Sequence, residues 1–351
     1  LGFGLLIFTL LEAWAWQIHK SVLTNFLKEL GWRLFTMLLI ALFAFQLISF
    51  DQFIKLFAFS YPFIAIVLLV YLLYTKQISF NFRLSKVTRR FSGSIIRLCS
   101  FVYAALVVFN ISIVFDSLLI SSVLHDALAQ LAIYSVAQNI AAMIQAPQRG
   151  IISASMIHLA TAWKEKNMEL IGKIYQRSSI NQLLFACGFF SLVVMNLQDA
   201  VITFELKDTY LKAFYVVIFL GLAKVVDMGT GVNAQIIATS TYWRFELFSG
   251  IILLTLMLPL SYFFTKGYGI VGTGIAQLIS ISIYNLIRVL FLWNKFRLQP
   301  FSRQTVYTLL LGGACFTLSY LLFRDLHSWA GLFARSLFFC AAFAGGAIYL
   351  N

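Results

Sequence analysis

The sequence consists of long apolar runs separated by short polar segments. About eleven of these runs reach or approach the roughly 20 apolar residues that a transmembrane helix needs. They lie at 1–16, 31–50, 57–75, 94–116, 128–150, 179–198, 210–230, 246–265, 270–293, 305–323 and 329–350. Because a helix in hydrocarbon satisfies its own backbone hydrogen bonds, we predict an all-α integral membrane protein.

The composition supports the same fold class and limits the kinds of binding partner that we expect. Of the 351 residues, 61% are hydrophobic and 11% are charged, whereas soluble proteins average roughly 45–50% apolar and 25% charged residues. A water-soluble fold could not bury so much apolar surface, so we expect the lipid bilayer as a partner. The net charge of +13 does not indicate nucleic acid, because Lys and Arg lie in short gaps and not on a water-exposed domain.

The cysteines indicate neither a disulfide framework nor a metal site. All of them lie inside apolar runs, at Cys99, Cys187, Cys315 and Cys340. They form no CxxC pair and no Cys/His spacing, so we predict no metal and no cofactor.

The basic residues are distributed unevenly between alternate gaps. When the gaps are assigned in turn to the two membrane faces, about nineteen Lys and Arg residues fall on one face and about five on the other. Because such residues accumulate in cytoplasmic loops, we expect Leu1 near the outside face and Asn351 near the cytoplasmic face. Leu1 already lies in an apolar run. If the complete protein starts in the cytoplasm, we therefore expect a fragment that lacks an odd number of preceding helices.

The longest gap, at 151–178, includes the sequence WKEKNMELIGKIYQR. Apolar residues such as Trp163, Ile171 and Tyr175 alternate there with Lys and Glu. This pattern predicts an amphipathic helix lying on the cytoplasmic leaflet. An ordinary solvated linker is the alternative.

Polar side chains recur along the predicted helix at 128–150. Tyr134, Gln138, Gln145 and Arg149 are spaced by four, seven and four residues, which places them within roughly 60° of arc on one helix. Pro147 should kink this helix. We interpret the stripe as the lining of a hydrophilic cavity in which Arg149 contacts a phosphate. The alternative is that Arg149 extends to the cytoplasmic headgroups.

Two opposite charges lie three residues apart in the predicted helix at 210–230. Lys224 and Asp227 are therefore neighbours on the helix surface. They could form a self-neutralising ion pair. Alternatively, Asp227 exchanges a proton or sodium ion and frees Lys224 for an anionic substrate.

The remaining charged residues of the apolar runs lie near predicted helix ends. For Glu12, Asp116 and Glu246, proximity to water makes a direct role less expected. Arg97 and Arg288 are expected to extend to the cytoplasmic headgroups.

Three segments of the chain carry a resemblance to a known family. They are LLEAWAWQIHKSVLTNFLKELGWRL at 10–34, AIYSVAQNIAAMIQAPQRGIISASMIHLATAWKEKNMELIGKIYQRSS at 132–179 and YGIVGTGIAQLISISIYNLIRVLFLWNKFRLQPF at 268–301. These segments resemble the polysaccharide flippases of the multidrug/oligosaccharidyl-lipid/polysaccharide exporter superfamily, in particular the O-antigen and capsule type. The motifs are loose hydrophobic signatures, and they contain no catalytic fingerprint.

The resemblance implies an architecture of about fourteen helices, of which this chain would hold eleven, in two pseudo-symmetric bundles around a central cavity. The first bundle would retain about three helices and a basic cytoplasmic loop at 1–90. The second bundle would occupy 91–300, and two extra C-terminal helices would occupy 301–351.

The resemblance also implies a function. The protein would move a polyprenyl-diphosphate-linked oligosaccharide from the inner to the outer leaflet of the bacterial cytoplasmic (inner) membrane by alternating access, for O-antigen, capsule or exopolysaccharide synthesis. Polysaccharide polymerase and glycosyltransferases would be its partners, and it would have no catalytic residues of its own. The cavity candidates are Arg149, Lys224, Gln138, Gln145 and Tyr134, and Asp227 is the ion-coupling candidate.

Two other functions remain open. A cation-coupled multidrug exporter of the same superfamily would need acidic cavity residues, whereas this chain has a surplus of basic ones. A membrane-embedded glycan polymerase or ligase would need a long external loop, whereas the longest predicted loop is cytoplasmic.

Overall fold

A computed structural model describes residues 2–78, 86–205, 211, 213–323, 326 and 329–350. Within these ranges the chain is helical and contains no strands. The helices are α1 (Gly2–Gln17), α2 (Ser21–Asn25), α3 (Trp32–Ala44), α4 (Phe50–Ala58), α5 (Ser60–Tyr74), α6 (Lys86–Val123), α7 (Ala127–Ile144), α8 (Gln148–Lys164), α9 (Met168–Thr203), α10 (Phe214–Gly229), α11 (Asn233–Thr239), α12 (Phe245–Phe296), α13 (Arg303–Leu322) and α14 (Trp329–Leu350), with a π-helical turn at Phe26–Gly31. The predicted all-α class is confirmed.

The chain divides into two compact units. Unit 1 comprises Leu1–Ser92 and Ile152–His158, and unit 2 comprises Gly93–Ile151 and Leu159–Asn351. The predicted assignment of 1–90, 91–300 and 301–351 to bundles stays a prediction. Residues 79–85, which are part of the basic loop that we expected on the cytoplasmic side, lie outside the described residues.

Unit 1 is built on the packing of α1 against α5. Their shared core includes Phe8, Leu68 and Leu72, which have no solvent exposure. The helices approach closely where Gly4 faces Pro62, because a Cβ at Gly4 would lie 2.2 Å from the proline Cδ. Such close packing, rather than the removal of apolar surface from water, is what holds helices together in a bilayer.

In unit 2, α10 packs against α7, α9 and α12. One buried cluster joins α7 to α10 through Ile133, Ala137 and Leu220. A second buried cluster joins α9 to the C-terminal helices through Ala186 and Phe339. The position of α10 between three helices means that a polar residue on it has few routes to solvent.

Helix α12 is a hairpin of two antiparallel arms. Its 52 residues would extend about 78 Å if straight, which is far more than a bilayer. The backbone instead leaves helical geometry at Gly269, with φ 61° and ψ −145°. Thr265 and Thr273 then meet side by side at 2.8 Å, and the Phe245 and Phe291 rings stack at 3.8 Å. The two arms cover the predicted segments 246–265 and 270–293.

Six helices in the described part of the chain are long and apolar enough to cross a membrane. The number rises to eight if two bent helix pairs, α4 with α5 and α10 with α11, each form one span. This is fewer than the eleven expected from hydropathy. The difference arises partly because α1 has 16 residues and α3 has 13, and partly because the two arms of α12 count as one helix.

Two predicted elements are wrong. The single helix expected at 128–150 is two helices, because α7 ends at Ile144 and α8 begins after Pro147. The separate interfacial helix expected within 151–178 is absent from these described residues, since the segment belongs to α8 and to the start of α9. Asn167 caps α9 by accepting a hydrogen bond from the Leu170 amide at 3.0 Å, so the helix starts well before its apolar stretch.

Candidate functional site

The connection between α10 and α11 is a break in a helical segment. The two helices meet at an angle of 46°, and Gly231 between them has a φ of +65°. A Cβ on Gly231 would lie 2.9 Å from both the Ser178 Oγ and the Ser179 amide nitrogen. The Ser179 hydroxyl donates to the Gly229 carbonyl at 2.5 Å. Helix α9 therefore supports the break and satisfies a carbonyl that the broken helix leaves free.

Asp227 lies in the last turn of α10, immediately before this break. Its carboxylate accepts hydrogen bonds from the Gln145 side chain at 2.9 Å and from the Gln148 side chain at 3.4 Å. The Asn285 amide on the second arm of α12 donates to its other oxygen at 3.0 Å. Three amide donors, two from the α7–α8 turn and one from α12, thus converge on one carboxylate, which lowers the cost of holding that charge among apolar helices.

Asn285 links Asp227 to the break itself. Its side-chain oxygen accepts from the Thr230 hydroxyl and from the Asn233 amide, both at 2.9 Å. Asn285, Thr230 and Asn233 are 1%, 5% and 3% exposed, respectively. We call the six side chains Gln145, Gln148, Asp227, Thr230, Asn233 and Asn285 the break network. The network joins the α7–α8 turn, the α10–α11 break and α12.

Lys224 lies one turn before Asp227 on α10 and interacts with it electrostatically. Among the described residues, however, no Lys224–Asp227 contact within 4.0 Å is formed. The ion pair considered from the sequence is therefore not a direct contact, because the amides occupy the Asp227 carboxylate. Lys224 remains a partly buried ammonium group close to a polar break.

The structure separates the residues of the predicted polar stripe. Gln145 joins the break network, whereas Tyr134 is fully buried and donates to Asp116 at 3.0 Å. Gln138 is half-buried on α7, and Arg149 is exposed on α8. The predicted polar stripe along one helix is therefore wrong, because the turn at Pro147 places Arg149 on a different helix from Tyr134.

Asp116 belongs to a second polar cluster. It accepts hydrogen bonds from Tyr134 and from the Ser261 hydroxyl, both at 3.0 Å. Gln277 lies 3.5 Å from the Tyr134 hydroxyl. Asp116 is only 2% exposed, so its expected position at a wet helix end is wrong. The reason is that α6 continues to Val123, beyond the apolar run that defined the prediction.

Arg288 also differs from its prediction. The side chain does not extend to the headgroups, since Arg288 is 4% exposed. It donates to Glu246 at 2.5 Å and to the Ser249 hydroxyl at 3.2 Å, and its guanidinium lies 4.0 Å from the Tyr284 ring centre. Arg288 and Glu246 therefore clamp the two arms of α12 together at the ends remote from Gly269.

Three residues of the break network were missed by reading the sequence: Gln148, Thr230 and Asn285. Asn285 lies in the apolar run at 270–293 and was visible only as one amide among aliphatic residues. A search for polar side chains inside apolar runs would have found it together with Arg288, three residues later. No group of three or more His, Cys, Asp or Glu side chains in the described residues could hold a metal ion.

Comparisons of the chain with protein families, with curated proteins and with solved structures give no match. The resemblance to the flippase superfamily therefore stands on the three sequence segments alone.

Proposed function

We propose that this chain is part of a flippase that moves a polyprenyl-diphosphate-linked oligosaccharide across the bacterial cytoplasmic membrane by alternating access. The observation that carries the proposal is the break network: a helical segment of an apolar bundle is interrupted, and the interruption is filled with a carboxylate, amides and a hydroxyl. Transporters commonly bind substrates and coupling ions at such discontinuous helices.

The chemistry of the network suits a glycan. Sugar hydroxyls both donate and accept, so they require side chains of both kinds. Asp227 offers an acceptor, and Gln145, Gln148 and Asn285 carry amides with a donor and an acceptor each. Their present mutual bonds can be exchanged for bonds to a ligand without leaving a buried polar group unpaired.

The diphosphate needs cationic partners in addition. Lys224 lies one turn from Asp227, and Arg149 follows Gln148 directly on α8. We assign these two cations to the diphosphate, with Gln138 and Tyr134 as further candidates for the lining of the cavity. The polyprenyl tail would stay in lipid, because transferring its apolar surface into a polar cavity is unfavourable.

The finer architecture belongs to the same proposal. It comprises eleven of fourteen crossings in two pseudo-symmetric bundles around a cavity, with Leu1 outside and Asn351 inside. The contacts within unit 2 support the alternation of the crossings. Asp227 with Asn285 and Glu246 with Arg288 join segment ends that the charge rule assigns to the basic face.

The contacts at the opposite ends of the segments agree with this topology. Asp116 with Ser261 and Asp199 with Arg335 join ends that the charge rule assigns to the other face. If one membrane crossing were added or removed between two of these segments, residues that are bonded to each other would be assigned to opposite faces of the membrane.

A cation-coupled multidrug exporter is the second candidate, and Asp227 favours it. A carboxylate at a broken helix can bind a cation or a proton in exchange for substrate. The surplus of basic side chains favours the anionic substrate instead. A glycan polymerase or ligase has no comparable support, since that chemistry would need acid/base groups on a long external loop.

The test is translocation by the complete protein in proteoliposomes that contain a fluorescent undecaprenyl-diphosphate oligosaccharide. We expect probe to become accessible at the opposite leaflet, and we expect the double variant Arg149→Ala, Lys224→Ala to lose most of that activity. Lys266→Ala, which removes an exposed cation near the Gly269 turn, is the matched control. Failure to translocate the glycan, or full activity of the double variant, would contradict the proposal. Export of a cationic dye would favour the multidrug exporter.

A further inference from the structure

A cleft of about 520 Å³ opens in unit 2 where α12 begins. Its lining includes Tyr242, Trp243, Arg244, Phe248 and Phe291. The volume falls within the roughly 300–1,000 Å³ that is usual for small-molecule sites. The lining is aromatic with one guanidinium, which is the combination found where membrane proteins meet lipid headgroups.

Two cations, Arg244 in the lining of the cleft and Lys295 beside the lining residue Tyr242, are held against aromatic rings. The Arg244 guanidinium lies 5.3 Å from the Trp243 ring centre and 5.9 Å from that of Phe101. The Lys295 ammonium lies 5.6 Å from the ring centre of Tyr242. Cation–π contacts orient these charges, and they leave the hydrogen-bond donors available. Across the described ranges, neither Arg244 nor Lys295 forms an ion pair.

The nearest carboxylate does not cancel this positive charge. Glu246 lies two residues after Arg244 but is bonded to the buried Arg288 at 2.5 Å. Glu246 and Arg288 therefore form a neutral pair, and the net charge at the cleft comes from Arg244 and Lys295. The amino-terminal end of α12 adds a partial positive charge, because Arg244 directly precedes Phe245, at which this helix begins.

The cleft lies at the depth of the headgroups if the α12 hairpin crosses the bilayer. The first arm from Phe245 to the Gly269 turn is about 35 Å long at 1.5 Å per residue, close to the roughly 30 Å of a bilayer core. The cleft is at the end remote from the turn. That end carries Arg244, Lys295, Arg297 and Arg303, so the charge rule assigns it to the cytoplasmic leaflet.

We propose that this cleft binds the phosphodiester headgroup of an anionic phospholipid of the cytoplasmic leaflet. Arg244 and Lys295 contact the phosphate, and the exposed aromatic rings of Tyr242 and Phe248 contact the glycerol and the upper acyl chains. Basic pockets between helices on the cytoplasmic side have this affinity for anionic headgroups. The site requires only that the chain spans a bilayer, so it is independent of the flippase function.

The lipid would also affect the hairpin. The cleft is lined by residues of both arms, including Phe245 and Phe291, which stack on each other. A headgroup bound between Arg244 on the first arm and Lys295 on the second would hold the arms together, in addition to the Arg288–Glu246 clamp. Bound lipid should therefore raise the thermal stability of the protein.

Native mass spectrometry of the purified protein can test the site. The probes are phosphatidylglycerol, which is anionic, and phosphatidylcholine, which is zwitterionic. We expect phosphatidylglycerol to bind more tightly and the double variant Arg244→Gln, Lys295→Gln to weaken its binding about 25-fold, at about fivefold per charge. Lys266→Gln should bind like the wild type, and Arg244→Lys should retain most of the affinity because the charge remains. Circular dichroism of each variant checks that the helices are intact.

Several outcomes would overturn the proposal. Equal binding of phosphatidylcholine, or unchanged phosphatidylglycerol binding in an intact double variant, would show that the cleft does not select an anionic headgroup. Displacement of the phospholipid by inorganic phosphate at similar concentration would show a simple anion site. Displacement by undecaprenyl diphosphate at much lower concentration than phosphatidylglycerol needs would assign the cleft to the flippase substrate. A thermal shift with phosphatidylglycerol that is absent in the double variant would support the proposal.

Discussion

The two bent helix pairs of this protein are bent for different reasons. In unit 1, α4 and α5 meet at 41° around Phe59, and Pro62 lies in the first turn of α5. A proline there has no amide hydrogen for the Ala58 carbonyl, so a straight helix cannot pass through. In unit 2, α10 and α11 meet at 46° without a proline, around Gly231. The first bend follows from the proline ring, whereas the second depends on the residues that contact it.

The side chains around the two bends differ accordingly. Near the bend of unit 1, Ser60 accepts a hydrogen bond from the Trp32 indole at 3.1 Å, and Trp32 stacks on Tyr61. Around the bend of unit 2, the break network supplies a carboxylate, amides and a hydroxyl. A bend that a proline imposes needs no such network. In unit 2, where no proline imposes the bend, these polar groups bond to one another and to the backbone at the break and so help to support it.

The largest effect should come from Gly231→Ala. The change places a Cβ 2.9 Å from Ser178 and Ser179 and puts a non-glycine residue at a φ of +65°. We expect the free energy of unfolding to fall by roughly 2–4 kcal/mol, measured by denaturation in mixed micelles. Gly267→Ala is the matched control, because a Cβ there meets nothing within 4 Å. A similar loss in both variants would show that the α9 contact does not define the break.

A smaller loss is expected from Asp227→Ala. The change leaves the Gln145 and Asn285 amides without their acceptor, and buried unpaired donors cost about 1–3 kcal/mol. Asp227→Asn keeps one oxygen acceptor while removing the charge, so it should cost less stability. In the transport assay, however, both variants should lose activity if transport requires the negative charge of Asp227. Normal transport by Asp227→Asn would instead limit Asp227 to a structural role.

The fold class could be predicted from sequence because hydropathy alone determines it. The ends of the helices could not be predicted in this way. The α6 helix continues past Asp116 to Val123, and α9 begins at Met168, well before its apolar run. A window of apolar residues measures the part of a helix that lipid can cover, and it does not detect amphipathic turns that extend the helix beyond this part.

The candidate site was only partly predictable for a different reason. Asp227 and Gln145 are conspicuous because charges and amides are rare in apolar runs. The hydrogen bond between them could not be predicted, since they are 82 residues apart in sequence. Asn285 was missed because a single amide has no meaning until its partners are known. Helical periodicity relates residues within one helix, so it could not anticipate a network made by three segments.

The coupling inside the break network gives a third prediction. Asn285→Ala removes the residue that joins Asp227 to Thr230 and Asn233, and we expect a loss of about 1–2 kcal/mol. Combined with Asp227→Ala, the losses should be less than additive by roughly 0.5–2 kcal/mol, because each change already breaks their shared bond.

Asn110→Ala provides the control for this cycle, since within the described part of the chain that exposed amide bonds only to the Leu106 carbonyl of its own helix. Its loss should add to that of Asp227→Ala without coupling. Strict additivity of the Asn285 and Asp227 changes would mean that the network does not act as a unit. The stability of the wild type, the three single variants and the two double variants is measured by the same denaturation in mixed micelles.

The smallest change in stability should come from Pro62→Ala in unit 1. The alanine amide could bond to the Ala58 carbonyl and straighten the α4–α5 pair, while the space beside Gly4 left by the ring costs some packing. These effects oppose each other, so we expect a net change within about 1 kcal/mol. Distances between spin labels on α4 and α5 should nevertheless lengthen as the 41° bend opens. An unchanged angle in Pro62→Ala would mean that packing, and not the proline ring, bends unit 1.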